Sequence, residues 1–273
     1  MLQKALRWGI VPLILVYLAA STVLYFEQRR LLYFPQHTRT TADHTDFALD
    51  RDGVVLRGWV VNPGQDHALL YFGGNGDAIQ TMRDNFRRWA PGWTVYLVAY
   101  RGYGASEGEP TERALFGDAV ALYDDVRTRH AGIGAMGRSL GSGVATYLAS
   151  VRPIDRLALV TPYDSIAHLA QARFPLFPAE LTLKDKYESW RYAPKVRCPV
   201  LVLEAEQDLT VPAWSTQRLL GFFSPPPRVI RIPHSGHGSI VDSADYAAAV
   251  TAFWQLGPVD HYFGAAKVMV NRP

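Results

Sequence analysis

The chain has 273 residues, of which 48% are hydrophobic, 12% aromatic and 19% charged, which excludes a disordered chain, a collagen-like repeat and a disulfide-stapled miniprotein. The single cysteine, Cys198, can neither form an intramolecular disulfide nor supply a thiolate zinc site. The whole formal charge of +3 arises in the first thirty residues, so the 24 basic and 24 acidic residues that follow give no basic domain for nucleic acid.

The first predicted element is an apolar segment near the N-terminus. Residues 8–26 carry no formal charge, and as a helix they would reach roughly 28 Å, enough to cross the hydrocarbon core of a bilayer. Trp8 at one end and Tyr25 and Phe26 at the other match the aromatic belts at membrane interfaces. The segment predicts a single-pass membrane anchor over residues 1–30 and a membrane location.

A cleaved signal peptide is the alternative interpretation of this segment. A basic stretch precedes the apolar run, and Ala19, Ala20 and Ser21 are small residues of the kind found near cleavage sites. The apolar run is longer than the usual 7–15 residues of a signal peptide, which favours the uncleaved anchor. Basic residues flank both ends of the run, so the positive-inside rule does not fix the side of the membrane that the remaining chain faces.

Residues 31–273 predict one α/β domain, because short apolar runs alternate with helical patterns. Near-continuous Val, Leu and Ile in the runs indicates burial on both faces, as in a mostly parallel sheet with helices on each side. In such sheets the functional loops lie at the carboxyl ends of the strands. The predicted strands are 54–61, 68–72, 93–100, 133–137, 156–160, 199–203 and 228–232. The predicted helices are 77–90, 111–130, 139–151, 212–222 and 239–256.

A G-x-S-x-G motif follows the predicted strand at 133–137 and opens the next predicted helix. Its serine is Ser139, between Gly137 and Gly141. The motif lifts a serine above the sheet edge on a sharp, strained turn, and the flanking glycines leave room for the neighbouring strand and helix. The strand, turn and helix context predicts Ser139 as a nucleophile.

A serine nucleophile on this turn needs an acid and then a histidine, each after a later strand. Asp208 follows the strand at 199–203, and His237 follows the strand at 228–232. The alternatives are Asp164 as the acid and His234 as the base. His234 and His237 lie three apart in a Gly-Ser loop without a nearby carboxylate, so a metal site is not predicted.

An oxyanion hole needs two backbone N–H donors, one from the residue after the serine and one from the loop after an early strand. Leu140 would supply the first. Asn75, in the glycine-rich loop at 72–76, would supply the second, because glycines permit close approach of the backbone to an acyl oxygen.

Several further segments make this chain resemble the α/β-hydrolase superfamily, and within it the membrane-anchored serine hydrolases of the bud-emergence (Bem-like) type. They are RRLLYFPQ after the apolar run, YFGGNGD at 71–77, AYRGYGASEGEPTE at 99–112, PYDS at 162–165, LKDKYESWRYAPKVRCPVLVLEAEQD at 183–208 and PHSGHG at 233–238. The resemblance covers nearly the whole chain. Two departures are Gly73, where the family usually has histidine, and Ala205, where it usually has glycine.

The resemblance implies an α/β-hydrolase fold over residues 31–273, with a short cap at about 165–197. It also implies Ser139, His237 and Asp208 as a catalytic triad, with Asn75 and Leu140 as oxyanion donors. The segments that resemble the family also contain Arg101, Tyr103 and Asp164, which are interpreted first as packing and loop-holding residues. Aromatic residues of the cap are candidates to line an acyl pocket or to close the core, namely Phe174, Phe177, Trp190 and Tyr192.

The sequence as a whole predicts a membrane-anchored serine hydrolase that cleaves esters or thioesters through an acyl-enzyme, without a cofactor. A short cap implies a shallow, accessible site suited to esters or thioesters carried by lipids or by acylated proteins near the membrane, so the expected substrate is a small-molecule or lipid-like acyl compound. The alternatives are a peptidase or amidase of the same fold, which the triad does not exclude, and a non-catalytic binding protein.

Overall fold

The computed structural model describes residues 2–255, with side chains from residue 10 onward. Residues 1 and 256–273, which belong to the predicted anchor and hydrolase domain, lie outside the described residues. The strands are β1 (Phe47–Arg51), β2 (Val54–Val61), β3 (His67–Phe72), β4 (Trp93–Val98), β5 (Gly132–Arg138), β6 (Leu157–Val160), β7 (Val200–Ala205) and β8 (Arg228–Ile232). The helices are α1 (Leu2–Leu32), α2 (Arg83–Trp89), α3 (Glu112–Val126), α4 (Leu140–Val151), α5 (Ile166–Arg173), α6 (Ala179–Thr182), α7 (Ser189–Tyr192), α8 (Ala213–Leu220) and α9 (Ala244–Gln255).

The strands form one eight-stranded sheet in the order β1-β2-β4-β3-β5-β6-β7-β8. β2 pairs antiparallel with β1 and β4, and every other neighbouring pair is parallel. Strands β4 and β6 are buried along their whole length, as their continuous apolar sequences indicate. The predicted mostly parallel sheet is therefore confirmed.

β1 was not among the predicted strands. Its sequence FALDR alternates between partly buried and exposed positions, because it is an antiparallel edge strand that covers only one face. The predicted helix at 77–90 is also shorter in the structure, where a 3₁₀ turn at Ile79–Met82 precedes α2.

The parallel strands bring their carboxyl-end loops to one edge of the sheet. β3, β5, β6, β7 and β8 are consecutive neighbours that all run in the same direction. The loops after β3, β5, β7 and β8 carry the four segments in which the sequence predicts site residues. The topology therefore brings these segments together although they are spread over more than half of the chain.

Among residues 2–255, one stretch, Ile10–His37, is long and apolar enough to cross a membrane, and its most apolar window is not buried against the rest of the chain. The C-terminal end of α1 contacts the segment between β6 and β7, which contains α5, α6 and α7. Gln28 Oε1 accepts a hydrogen bond from the backbone N–H of Lys184 at 2.7 Å, and Arg29 pairs with Asp185 at 2.8 Å.

Candidate active site

Ser139 lies at the turn between β5 and α4 in a strained backbone conformation. Its φ of +49° and ψ of −119° are uncommon for a residue with a side chain. The turn tolerates no Cβ on either flanking glycine: at Gly137 it would lie 2.2 Å from the carbonyl oxygen of Gly141, and at Gly141 it would lie 2.1 Å from that of Phe72. Steric crowding therefore requires glycine at both positions and holds the serine at the sheet edge.

A chain of two hydrogen bonds connects Ser139, His237 and Asp208. His237 Nε2 lies 2.9 Å from Ser139 Oγ, and His237 Nδ1 lies 2.8 Å from Asp208 Oδ2. The other carboxylate oxygen, Oδ1, accepts hydrogen bonds from the backbone N–H groups of Thr210 at 2.9 Å and Val211 at 2.8 Å. The carboxylate is thus fixed in orientation, and one of its oxygens faces the imidazole.

The two alternative residues lie elsewhere. Asp164 is fully buried, and its carboxylate accepts a hydrogen bond from Ser215 Oγ at 2.6 Å and lies 2.6 Å from His168 Nδ1. The side chain of His234 is 91% exposed. Neither residue contacts Ser139. Among the described residues, no group of three or more His, Cys, Asp or Glu side chains is arranged to hold a metal ion.

The loop that carries Asn75 is held by the end of α1 and by Tyr103. The Asn75 carbonyl accepts hydrogen bonds from the Phe34 N–H at 3.0 Å and the Tyr103 hydroxyl at 2.8 Å. Asn75 Nδ2 donates to the carbonyl of Leu32 at 3.0 Å. Among the described residues, no hydrogen-bond acceptor is found for the backbone N–H groups of Asn75 and Leu140, the two donors that the sequence predicts for an oxyanion hole.

Arg138 connects three loops of the site, a role that the sequence reasoning missed. Its Nη1 lies 2.6 Å from both carboxylate oxygens of Asp77, and Asp77 Oδ2 accepts a hydrogen bond from the Gly74 N–H at 2.7 Å. Its Nη2 donates to the carbonyl of His237 at 3.2 Å. Burial acts to lower the pKa of Arg138, but the Asp77 carboxylate more than offsets this, and the pKa lies above its ordinary value.

Other residues singled out in the sequence contribute mainly to packing. Arg101 forms a bidentate ion pair with the largely buried Asp118. Tyr192 packs edge-on against Phe116. Tyr103, by contrast, holds the carbonyl of Asn75, and the only sequence signal for this role was its position in the YRGYG segment.

The chain is 34% identical over 241 residues to an uncharacterized protein of Mycobacterium tuberculosis, Rv2307c. This match covers 82% of this chain and 86% of that protein. It is 34% identical over 144 residues to lysophosphatidylserine lipase ABHD12 of Danio rerio, a match that covers 44% of this chain and only 37% of that protein. No family model matches the chain.

Solved structures with the same fold include a hydrolase from Pseudomonas aeruginosa, with a TM-score of 0.63 and 18% identity over 79% of this chain and 100% of that one. An esterase from Exiguobacterium antarcticum has a TM-score of 0.62 and 16% identity over 78% of this chain and 100% of that one. At such identities the likeness is one of fold. With the sheet topology and the sequence relatives, it shows that the chain belongs to the α/β-hydrolase superfamily and is related to the α/β-hydrolase domain-containing group that includes ABHD12.

Proposed function

We propose that this chain is a membrane-anchored serine hydrolase that cleaves a lipid-like ester or thioester through Ser139, His237 and Asp208. The observation that carries the proposal is the pair of hydrogen bonds from Ser139 Oγ to His237 and from His237 to Asp208, beside a serine with a φ of +49°. Each group has the partner that its proposed role requires.

In the acylation step, His237 Nε2 accepts the proton of the Ser139 hydroxyl as Oγ attacks the carbonyl carbon of the substrate. Asp208 keeps the other ring proton on Nδ1 and stabilises the imidazolium that forms. The same proton then goes to the leaving alcohol or thiol, which departs and leaves an acyl group on Ser139. A water molecule, deprotonated by His237, completes the cycle by releasing the acid.

The tetrahedral intermediate carries a negative charge on the former carbonyl oxygen. The backbone N–H groups of Leu140 and Asn75 are proposed as its hydrogen-bond donors. Leu140 is the first residue of α4, so the positive end of the helix dipole also faces this oxygen. The ion pair of Arg138 with Asp77 supports this arrangement by joining the Asn75 loop to the serine turn and to the His237 loop.

The membrane part of the proposal depends on α1. Its apolar side chains are largely exposed, with 70% exposure at Leu13, 67% at Val16 and 70% at Phe26. A helix that exposes so much apolar surface is unfavourable in water and favourable in lipid. The low burial of this segment also separates it from the core helix of a soluble protein.

The lipid-like character of the substrate is supported by the relatives. The ABHD12 proteins of Danio rerio and Macaca fascicularis are named lysophosphatidylserine lipases, and their matches cover 44% and 49% of this chain. A lipid ester would also be the substrate nearest to a bilayer-bound enzyme. We therefore propose an ester or thioester with at least one acyl chain.

The test is labelling of the full-length protein with a fluorophosphonate, followed by peptide mapping and assays on acyl esters. We expect one adduct, on Ser139, and loss of both labelling and hydrolysis in Ser139→Ala. Ser150→Ala, a serine farther along α4, is the matched control and should label like the wild type. An adduct on Ser142 or Ser239, or labelling that persists in Ser139→Ala, would contradict the proposal.

A further inference from the structure

An apolar cavity lies between α1 and the segment that joins β6 to β7. Its volume is about 140 Å³, and its apolar walls are formed by Leu24 and Leu32 of α1, Ile166 and Ala170 of α5, and Phe177 and Leu183. The two polar residues at its edge already have partners, since Gln28 bonds to Lys184 and Asp185 pairs with Arg29. The cavity therefore has an apolar lining, and its two polar residues have hydrogen-bond or ion-pair partners within the protein.

We propose that this space, called the acyl cavity below, binds the acyl chain of a lipid that enters laterally from the bilayer. The inference deepens the proposed function and rests on it for the reaction at Ser139. It makes the anchor helix a wall of the substrate site. A helix that served only as a tether would not need to line the space in which substrate binds.

One end of the acyl cavity adjoins the oxyanion loop. Leu32 lines the cavity, and its backbone carbonyl accepts the hydrogen bond from Asn75 Nδ2. An acyl chain that lies against Leu32 therefore brings its carboxyl end beside Asn75, whose N–H is one proposed oxyanion donor. Leu32 therefore contacts both the cavity and the Asn75 loop.

The other side of the acyl cavity is bounded by the loop after α5 and the start of α6, which have exposed apolar residues. This cap tip, residues 174–181, exposes 49% of Phe174, 82% of Leu176 and 83% of Leu181. The Tyr17 hydroxyl of α1 donates a hydrogen bond to the Leu176 carbonyl at 2.8 Å. Phe174 also lines the cavity, so the cap tip and the cavity are continuous.

The position of the membrane surface relative to the protein can be inferred from side chains along α1. Lys184 Nζ lies 4.4 Å from the centre of the Tyr25 ring, a cation and aromatic pair suited to the headgroup region. Tyr17 lies eight residues earlier, about 12 Å farther along the helix axis. The cap tip, which contacts Tyr17, would therefore lie in the apolar layer when residues 8–26 span the bilayer.

The backbone of the cap tip is suited to such an environment. In lipid every backbone polar group needs a partner from the protein, whereas in water a loop can leave its carbonyls to the solvent. Pro175 and Pro178 have no N–H group. The carbonyls of residues 174–178 all accept hydrogen bonds, in order from Phe177 N, Gln171 Nε2, Tyr17 Oη, Ala179 N and Leu181 N.

The size of the acyl cavity sets a chain-length effect. An apolar cavity of about 150 Å³ accommodates benzene, so this one holds about six carbon atoms, and the remainder of a longer chain would lie along α1. Each buried methylene is worth about a fourfold gain in kcat/KM at room temperature. Activity should therefore rise with acyl length until the cavity is filled and then level off.

The first experiment measures binding of a lipid acyl chain in a variant that does not hydrolyse it. Full-length Ser139→Ala protein in phosphatidylcholine vesicles is irradiated with a lysophosphatidylcholine that carries a diazirine in its acyl chain, and adducts are mapped by mass spectrometry. The expected adducts lie within residues 166–185 as well as on α1 near Leu24. Adducts confined to the outer lipid-facing part of α1, residues 10–23, would overturn the proposal.

The second experiment fills the acyl cavity from either wall. Leu24→Trp and Ala170→Phe should lower kcat/KM for a decanoyl ester about 15-fold, the equivalent of two methylenes, and change that for an acetyl ester by less than about twofold. Val23→Trp is the matched control, because Val23 is 60% exposed and does not line the cavity. An equal loss for both esters in the two cavity variants, or the same selective loss in Val23→Trp, would refute the site.

The two proposals can fail separately. If the wild type neither hydrolyses esters nor reacts with a fluorophosphonate, the proposed function is wrong, and the cross-linking experiment still decides whether the cavity binds acyl chains. If esters are cleaved but no cross-links form within residues 166–185, the proposed hydrolase function is supported and the proposed acyl cavity is refuted.

Discussion

Asp208→Asn is expected to reverse the tautomer of His237 while its loop stays folded. Asp208 Oδ1 accepts two backbone N–H groups, from Thr210 and Val211, and Oδ2 faces His237 Nδ1. An amide has only one acceptor oxygen, and the two backbone donors hold it at the Oδ1 position. The NH₂ group then faces the imidazole, so the ring proton moves to Nε2, and His237 cannot accept the proton of Ser139.

The magnitude follows from this geometry. Loss of the correct tautomer in a Ser-His-Asp triad lowers kcat about 10⁴-fold, which corresponds to about 5.4 kcal/mol of transition-state stabilisation. Stability should change by less than about 1 kcal/mol, because both backbone hydrogen bonds remain and the new amide NH₂ donates to His237 Nδ1, which replaces the bond that the ring donated to the carboxylate. The effect is therefore large on catalysis and small on folding.

The assay compares kcat for a short soluble ester with the free energy of unfolding in urea. Asp164→Asn is the control, because Asp164 is a fully buried carboxylate with its own histidine partner, His168. It should lose about 1–3 kcal/mol of stability and keep most of its kcat in the folded fraction. The reasoning is refuted if Asp208→Asn loses less than about tenfold in kcat, or if folded Asp164→Asn loses as much as Asp208→Asn.

Three further predictions concern the surrounding structure. Arg138→Met should lower the free energy of unfolding by about 3 kcal/mol, because it leaves the largely buried carboxylate of Asp77 without its ion pair. Arg152→Met removes the more exposed pair with Asp124 and should cost less than about 1 kcal/mol. Equal losses of the two variants in urea denaturation would contradict this prediction. Burial raises the pKa of Cys198 to about 12, so about one thiol in 10⁴ is ionised at pH 8. Iodoacetamide should therefore modify Cys198 only after denaturation, and rapid alkylation of the native protein would contradict this prediction. Residues 8–26 should keep the protein in membranes during alkaline carbonate extraction, and a mature N-terminus near Ser21 would indicate a cleaved signal peptide instead.

The parts of the fold that sequence predicted are those governed by local sterics and chain order. The turn at Ser139 requires glycine at positions 137 and 141, so the sequence motif alone predicts the backbone geometry of the turn. The parallel sheet follows from runs that are apolar on both faces, and the serine-turn motif implies the chain order of nucleophile, acid and histidine. Once the strands are parallel neighbours, the loops that carry Asp208 and His237 must open at the same edge as Ser139.

Long-range polar contacts could not be predicted in the same way. Arg138 is a variable position in the G-x-S-x-G motif, and nothing in its neighbours indicates a carboxylate 61 residues earlier in the chain. The predicted helix at 111–130 ends at Val126 in the structure, and His130 bonds instead to the carbonyl of Gln65. In each case a tertiary partner decides the outcome, and sequence periodicity contains no information about that partner.

The two ends of α1 have different physical roles, and this difference links the membrane to the chemistry. Residues 10–23 are mostly exposed and apolar, so their contribution is to partition into lipid. The last turn and the residues after it are built into the site: Leu32 and Phe34 hold the Asn75 loop, and the hydroxyl of Tyr33 lies 2.8 Å from that of Tyr187. In the proposed function, in which α1 spans the bilayer, the rigid helix would also set the height of the Asn75 loop above the membrane surface. A lipid substrate would then meet the proposed backbone donors at a distance from the lipid surface that α1 fixes.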